Sequence, residues 1–395
     1  MSRSTVEVSI SPDVFRWICG TSGWKIQEIA KKIDIPEDTV QRWCKGEASA
    51  QLSLGKAEQL AAAFKRPLST FLLSKPPSEL ALPQDFRKVL NYSEDYSKET
   101  FLVIRKARRL QQIRRELMDN LHIDFHAKIE PRTTFQNPEE VAREERIGIP
   151  IEATETDLSH TIMFDIWRAW FEEKNIGVFQ MKMPMEDARG FSLTDAEPYV
   201  IVVNESDAPA GRLFTLFHEY GHILLNEPAV CNLDSEEVQD KKISGIERWC
   251  NRFAGAFLVP KDLLERDARI MNNIRLSNFT RAASSISIRF KTSKESAFMR
   301  LLTLNYITAA TFRQERDKIR AENALKTGQK KKIQKFEEKE EEQGFGIALD
   351  RRCLTEKGLP FISLVMKNAD LGYISSKDAL DYLDIKLKHL EKLRG

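Results

Sequence analysis

The stretch GRLFTLFHEYGHILLN, residues 211–226, constrains the fold more than any other part of the chain. Leu213, Phe214, Leu216, Phe217, Ile223, Leu224 and Leu225 surround a helical cylinder on nearly every side, so a helix here is predicted to be buried rather than half-exposed. A buried helix needs packed layers around it. With 395 residues, 42% of them hydrophobic, the chain is long enough for two or three domains, at least one with a substantial core. Into this apolar helix the sequence inserts His218, Glu219 and His222, and polar groups taken out of water require partners.

Two histidines four residues apart lie on one face of a helix, one turn apart, so both imidazoles reach a single cation. Zinc suits that pair. Glu219, one residue on, is placed beside the metal rather than on it, where a carboxylate takes a proton from zinc-bound water attacking a peptide carbonyl. Catalytic zinc keeps three protein ligands and one open position, so a third ligand is needed. Glu247 is the candidate, opening IERWCNRFAGAFLVP, whose Trp249, Phe253, Phe257 and Leu258 suit a helix ending before Pro260; Asp234, Glu236 and Glu237 are rivals. With 6 His and 59 acidic residues, chance yields the five-residue pattern in about one such chain in a hundred. The competing reading is a pair of core histidines satisfied by hydrogen bonds. His122, His126, His160 and His389 stand alone and are assigned to surface or packing. Upstream, YVIVVNESDAP predicts a short strand leading to the helix; an open edge there would pair with an extended peptide and imply a polypeptide substrate, whereas an internal strand would not.

Net charge is only +2, which excludes a polycation coating nucleic acid and leaves only a local basic patch for such binding. No apolar run is long enough to cross a bilayer and MSRSTVEVSI lacks a secretory pattern, so the expectation is a cytoplasmic protein without membrane contact. The cysteines, Cys19, Cys44, Cys231, Cys250 and Cys353, are odd in number and form no CxxC pair, so neither a disulfide framework nor a cysteine zinc cluster is expected. Cys231, between the two proposed ligand helices, is a candidate switch: its thiolate could take the open zinc position until oxidised.

From Ser11 to Leu73 short helices alternate with turn signals, and Pro76, Pro77 and Pro83 form a stiff exit. Within this module, KIQEIAKKIDIPEDTVQRWCKGE has a helix-turn-helix layout, with helices over Ile26–Lys32 and Glu37–Lys45 and a core of Ile29, Ala30, Ile33, Val40 and Trp43. Docked in a major groove of double-stranded DNA, Thr39, Gln41, Arg42 and Lys45 would reach bases or phosphates. Asp34, Glu37 and Asp38 oppose that, and residues 1–75 carry eleven Lys or Arg against eight Asp or Glu. The alternative is a module that binds a protein partner. Residues 98–121 show helical periodicity through Phe101, Ile104, Ala107, Leu110, Ile113 and Leu117, with an Arg-rich opposite face that is either solvated or a nucleic-acid contact. A helix over 158–174 and strands at GVFQM and YVIVVNE follow. Residues 313–343, dense in both charge signs, cannot bury a face and read as a solvated linker or a surface helix, and helical periodicity returns over 360–393. The expected fold is therefore multidomain and mainly α: a helix-turn-helix domain over 1–80, all-α; a linker with the Arg-rich helix over 81–150; a small α+β metallopeptidase domain over 151–312; a charged linker over 313–343; and a small helical unit over 344–395.

The segments GFSLTDAEPYVIVVNES, RLFTLFHEYGHILL and ERWCNRFAGAFLVP, spanning roughly 175 to 305, closely resemble the ImmA/IrrE metallopeptidases. The resemblance implies a zincin-like domain with His218, His222 and Glu247 as zinc ligands and Glu219 as catalytic acid/base, acting on a repressor, an antitoxin or another transcription factor in phage, mobile-element or stress circuits. The N-terminal helix pair resembles the Cro/repressor (XRE) class, and AEQLAAAFKRPLSTFLLSKPPSELALPQDFR is similar to proteins in which such a module precedes this peptidase. The alternative to an enzyme is a non-catalytic DNA-binding regulator or antitoxin-like protein that uses the peptidase fold as a sensor.

Overall fold

The computed structural model describes residues 6–77, 96–149, 158–226, 230–231, 241–322 and 349–389. The fold is multidomain and mainly helical, with two small sheets. It divides into two compact units, the first comprising 1–109 with 182–187 and the second 110–181 with 188–395. No described helix is long and apolar enough to cross a membrane.

In the first unit, strand β1 (Glu7–Ile10) pairs antiparallel with β2 (Ala50–Ser53), Ile10 opposite Ala50. Alternation turns Val8, Ile10, Ala50 and Leu52 inward. Helices α1 (Pro12–Gly20), α2 (Ile26–Ile33), α3 (Glu37–Lys45), α4 (Leu54–Phe64) and α5 (Leu68–Phe71) close around Phe15, Ile18, Val40, Trp43 and Phe64. Asp34 ends α2 in the left-handed region at φ 49°, its N–H bonded to the Ala30 carbonyl, and α3 starts at Glu37 after Pro36 as N-cap. The five apolar residues expected to form the core of this pair are all buried.

Two features of this unit depart from the sequence expectations. The β1–β2 pair was not foreseen, because its two four-residue strands are short and lie far apart in the sequence. Contrary to the expectation of no disulfide, Cys19 and Cys44 are bonded. Phe15 on α1 meets Trp43 on α3 edge to face at 5.5 Å, and that packing sets the two cysteine Cα atoms 5.7 Å apart, within the range a disulfide spans.

Helix α6 (Lys98–Asn120) contributes residues to both units, and all six of its periodic apolar residues are buried. Its arginine face is not simply solvated, nor is it free to contact nucleic acid along its length. Arg105 donates to the Phe64 and Lys65 carbonyls, and Arg114, fully buried, pairs with Glu172 at 2.6 Å.

The second unit holds α7 (Pro138–Glu145), α8 (His160–Glu173), β3 (Gly177–Met181), β4 (Gly190–Leu193), β5 (Val200–Asn204), α9 (Pro209–Leu225) and β6 (Val230–Cys231). Next come α10 (Lys241–Leu258), α11 (Lys261–Arg266), α12 (Ala268–Arg275), α13 (Phe279–Phe290), α14 (Lys294–Thr303) and α15 (309–322). Helices α16 (Leu349–Asp370) and α17 (Ser376–Leu383) complete it. Of the segment expected to be a charged linker, 313–322 lies in α15 and 323–343 lies outside the described residues. The sheet has the order β3-β5-β4-β6, with β3 parallel to β5 and the other pairs antiparallel. Strand β5 is thus interior, its Val200–Asn204 paired with β3 on one side and β4 on the other. The idea that it offers a free edge to a peptide is corrected: residue periodicity shows which residues are buried, not which strand lies outermost.

Helix α9 lies between the sheet and α10, and every residue from Thr215 to Leu225 is buried. Pro209 occupies its first turn, where a missing N–H costs nothing, and Asn226 closes it in the left-handed region at φ 51°. Phe217 stacks on Phe257 of α10 at 4.2 Å and receives the edge of Trp167 of α8 at 5.1 Å. Three helices are locked together by that aromatic cluster.

Candidate metal centre

Residues 218 and 222 lie one turn apart on α9, and both imidazoles are fully buried on the side that faces α10. Glu247, in the second turn of α10, completes the group: its carboxylate oxygens stand 3.2 Å from His218 Nε2 and 3.3 Å from His222 Nε2, and the two Nε2 atoms are 3.0 Å apart. One nitrogen or oxygen from each of the three residues lies within 4.8 Å of the others, a spacing that could hold a metal ion. The rivals Asp234, Glu236 and Glu237 fall outside the described residues.

The donor set fits a cation. Asn251 Oδ1 lies 2.9 Å from His218 Nδ1, and because an amide oxygen only accepts, it places the ring proton on Nδ1 and leaves the Nε2 lone pair facing the group. Burial raises the pKa of Glu247, whereas the hydrogen bonds it accepts when the His218 and His222 imidazoles carry a proton on Nε2 outweigh burial and hold the carboxyl well below the usual range; a bound cation would take the place of those protons. Two imidazole nitrogens and a carboxylate converging on one point between buried helices are the ligand chemistry of a borderline-soft divalent ion. Glu219 follows His218 and is fully buried, rotated about 100° around the helix from it.

The approach of α9 to α10 depends on Gly221. A Cβ at this position would stand 3.1 Å from Cys250 Sγ and 3.2 Å from Cys250 Cα, tighter than nearly all real contacts of that kind. Cys250 is buried, and burial pushes its thiol pKa well up, so it acts as a small apolar residue against the glycine. Glu247, Cys250 and Asn251 share one face of α10 at spacings of three and four, so one glycine contact fixes the height of both polar residues over the histidine pair. Asn251 and Gly221 were missed in the sequence reading. Both were in view: Asn251 lies one turn beyond Glu247, and Gly221 sits between the two histidines.

The other candidate residues are not gathered at this site. The backbone of Cys231 lies in β6, paired with Gly190 of β4, and its side chain is outside what the structure describes. Thr39, Gln41, Arg42 and Lys45 all lie on α3 in the first unit; Thr39 is half-buried and the other three are exposed. Of the unassigned histidines, His126 is exposed beside Asp124, whose carboxylate raises its pKa, while His160 is half-buried at the start of α8 and burial lowers its pKa. His122 is exposed and His389 buried.

Residues 171–302 match a peptidase family model described as the IrrE N-terminal-like domain. That span runs from the end of α8 into α14 and contains His218, Glu219, His222 and Glu247. No match to a curated protein emerges from sequence comparison. One structural neighbour is a Mycobacterium tuberculosis transcriptional regulator, 15% identical, aligned over 49% of this chain and 51% of its own with a TM-score of 0.28. This chain therefore spans about half of that structure, and a score that low carries no argument about shared fold or function.

The Gly221 contact generates a direct expectation. Gly221→Val adds three carbons where a single Cβ would already press on Cys250, and overpacking of this kind costs about 1–3 kcal/mol. Chemical denaturation should show that loss, and competition titration should show zinc affinity falling at least tenfold as Glu247 moves off the histidine pair. A variant with unchanged stability and unchanged affinity would show that the helix approach does not set the site.

Proposed function

We propose that the chain is a zinc-dependent endopeptidase joined to a helix-turn-helix module, and that it cleaves a regulatory protein such as a repressor, an antitoxin or another transcription factor. The observation that carries this reading is the convergence of His218, His222 and Glu247 with Glu219 next in the helix, within the span that matches a peptidase family model. His218 Nε2, His222 Nε2 and a Glu247 oxygen would hold the ion. When bound, zinc supplies Lewis acidity to a water molecule and to the scissile carbonyl.

The remaining chemistry belongs to the chain itself. The Glu219 carboxylate accepts a proton from the attacking water and delivers it to the departing amine as the peptide bond breaks, so one group serves as base and then acid. Asn251 keeps the His218 proton on Nδ1 and the ring in one orientation. The apolar walls of α9 keep bulk water from the carboxylate.

Glu219→Gln keeps the shape and removes the base. Cells expressing the wild type and this variant should retain about one metal per chain in both cases, whereas new N-termini in regulators encoded beside the gene should appear with the wild type and fall roughly 10²–10⁴-fold with the variant. Identical cleavage patterns at equal metal content would instead support a non-catalytic regulator that uses the fold as a sensor.

For the N-terminal module we propose docking of α3 in a major groove, supported by the exposure of Gln41, Arg42 and Lys45 on one short helix. Glu37 and Asp38 in its first turn and a surplus of only three positive charges over residues 1–75 predict weak, strongly salt-dependent binding. A gel shift with the DNA flanking the gene should weaken as salt rises and should lose at least fivefold with Arg42→Ala. Absence of any shift at low salt would leave the module as a tether for the protein substrate.

A further inference from the structure

A cavity of about 820 Å³ lies in the second unit between α8, the first turn of α9 and α16, and its volume is that of a small-molecule site. None of the metal-centre residues lines it. Arg212, the lining residue of α9 nearest in sequence to them, precedes His218 by six residues, which puts it about 9 Å along the axis and about 120° around the helix. The wall is two-natured: Phe164, Leu359 and Pro360 offer apolar surface, while Arg168, Arg212 and Arg351 bring three guanidinium groups against the two carboxylates of Asp165 and Glu205.

Arg168 is the unusual member. It is 2% exposed, yet it lies on the cavity wall, and burial lowers its pKa only to about 10, so it stays charged near neutral pH. Its Nη atoms donate to the Leu354 and Thr355 carbonyls at 3.3 and 2.9 Å and approach Asp165 at 3.4 Å, whereas its Nε has no hydrogen-bond partner among the described residues. The chain makes room for it: Gly358 interrupts α16 at φ 76°, and a Cβ at that position would overlap the Arg168 side chain. Arg212 is held as well, donating to Gln180 Oε1 at 2.5 Å while the Gln180 amide donates to the Thr355 carbonyl at 3.1 Å, and its Nε is also without a partner. Fixed guanidinium groups with donors left over suit an oxyanion, which accepts two parallel N–H bonds from such a fork.

We propose that this cavity binds a small organic anion, with its carboxylate or phosphate head on Arg168, Arg212 and Arg351 and its apolar body against Phe164, Leu359 and Pro360. The site is independent of the metal centre and of the proposed peptidase reaction.

Calorimetric titration of the full-length protein with hexanoate, hexyl phosphate, inorganic phosphate and hexanol tests this. At least one of the two hexyl anions should bind tenfold or more tightly than hexanol, and the tighter of the two identifies the head group. Inorganic phosphate alone should bind more weakly than hexyl phosphate because it leaves the apolar wall bare. Ala169 lines the cavity from an exposed position on α8, so Ala169→Trp fills the space from outside the core. That variant, and Arg351→Gln at an equally exposed position, should each weaken the preferred anion at least fivefold with metal content and thermal stability unchanged. Binding of neither anion above hexanol, or affinity unaltered by Ala169→Trp, would overturn the assignment.

Discussion

The contact between Gly221 and Cys250 brings α9 and α10 close enough for Glu247 to face His218 and His222. The two histidines are fixed by helical spacing alone, since residues four apart on α9 must share a face. The third donor has no such guarantee. It depends on the distance and rotation between two helices, and a Cβ at Gly221 would stand only 3.1–3.2 Å from Cys250 atoms, so even one extra carbon would press on α10. The aromatic stack of Phe217 on Phe257, with Trp167 set edge-on, holds the same pair of helices one turn away in the other direction, so the site rests on two neighbouring contacts of different kinds.

Those contacts also determine the electrostatics. In an interior of low polarity, ionised groups persist only where partners are within hydrogen-bonding reach. Glu247 meets that condition through both imidazoles when they are protonated on Nε2 or through a cation in their place, and Asn251 holds a proton on the far side of His218. Tyr220, between the two histidines, donates to Glu145 of α7 at 2.6 Å, and Lys174 reaches the same carboxylate at 3.2 Å. The polar residues of α9 are thus tied on one side to a candidate cation site and on the other to a buried ion network. The same logic recurs near α16, where Arg114 and Arg168 are buried with Glu172 and backbone carbonyls as partners.

Local, periodic features of this arrangement were legible in the sequence. The apolar flanks of α9, the spacing of His218 and His222, the helix that carries Glu247 and the buried face of α6 all follow from a 3.6-residue repeat, which is written in adjacent residues. Features that depend on distant segments were not. The Cys19–Cys44 bond joins residues 25 apart in sequence, and the packing of α1 on α3, Phe15 on Trp43 included, brings them together. Strand β5 reads as an ordinary apolar strand whether it is interior or at an edge, and the pairing with both β3 and β4 decides the matter. Strand β4, GFSL, contains a glycine that a Cβ would drive into Thr215, so its composition reflects close helix-on-sheet packing rather than strand propensity. The arginines of α6 look like a solvated face in one dimension, yet the fold turns Arg114 inward against Glu172.

The central claim is that two imidazole nitrogens and one carboxylate form a single divalent-metal site. X-ray absorption at the zinc edge of the metal-loaded full-length protein tests it most directly. A first shell containing nitrogen and oxygen at about 2.0–2.1 Å, with the multiple-scattering signature of two histidines, is expected. A shell without histidine would contradict it.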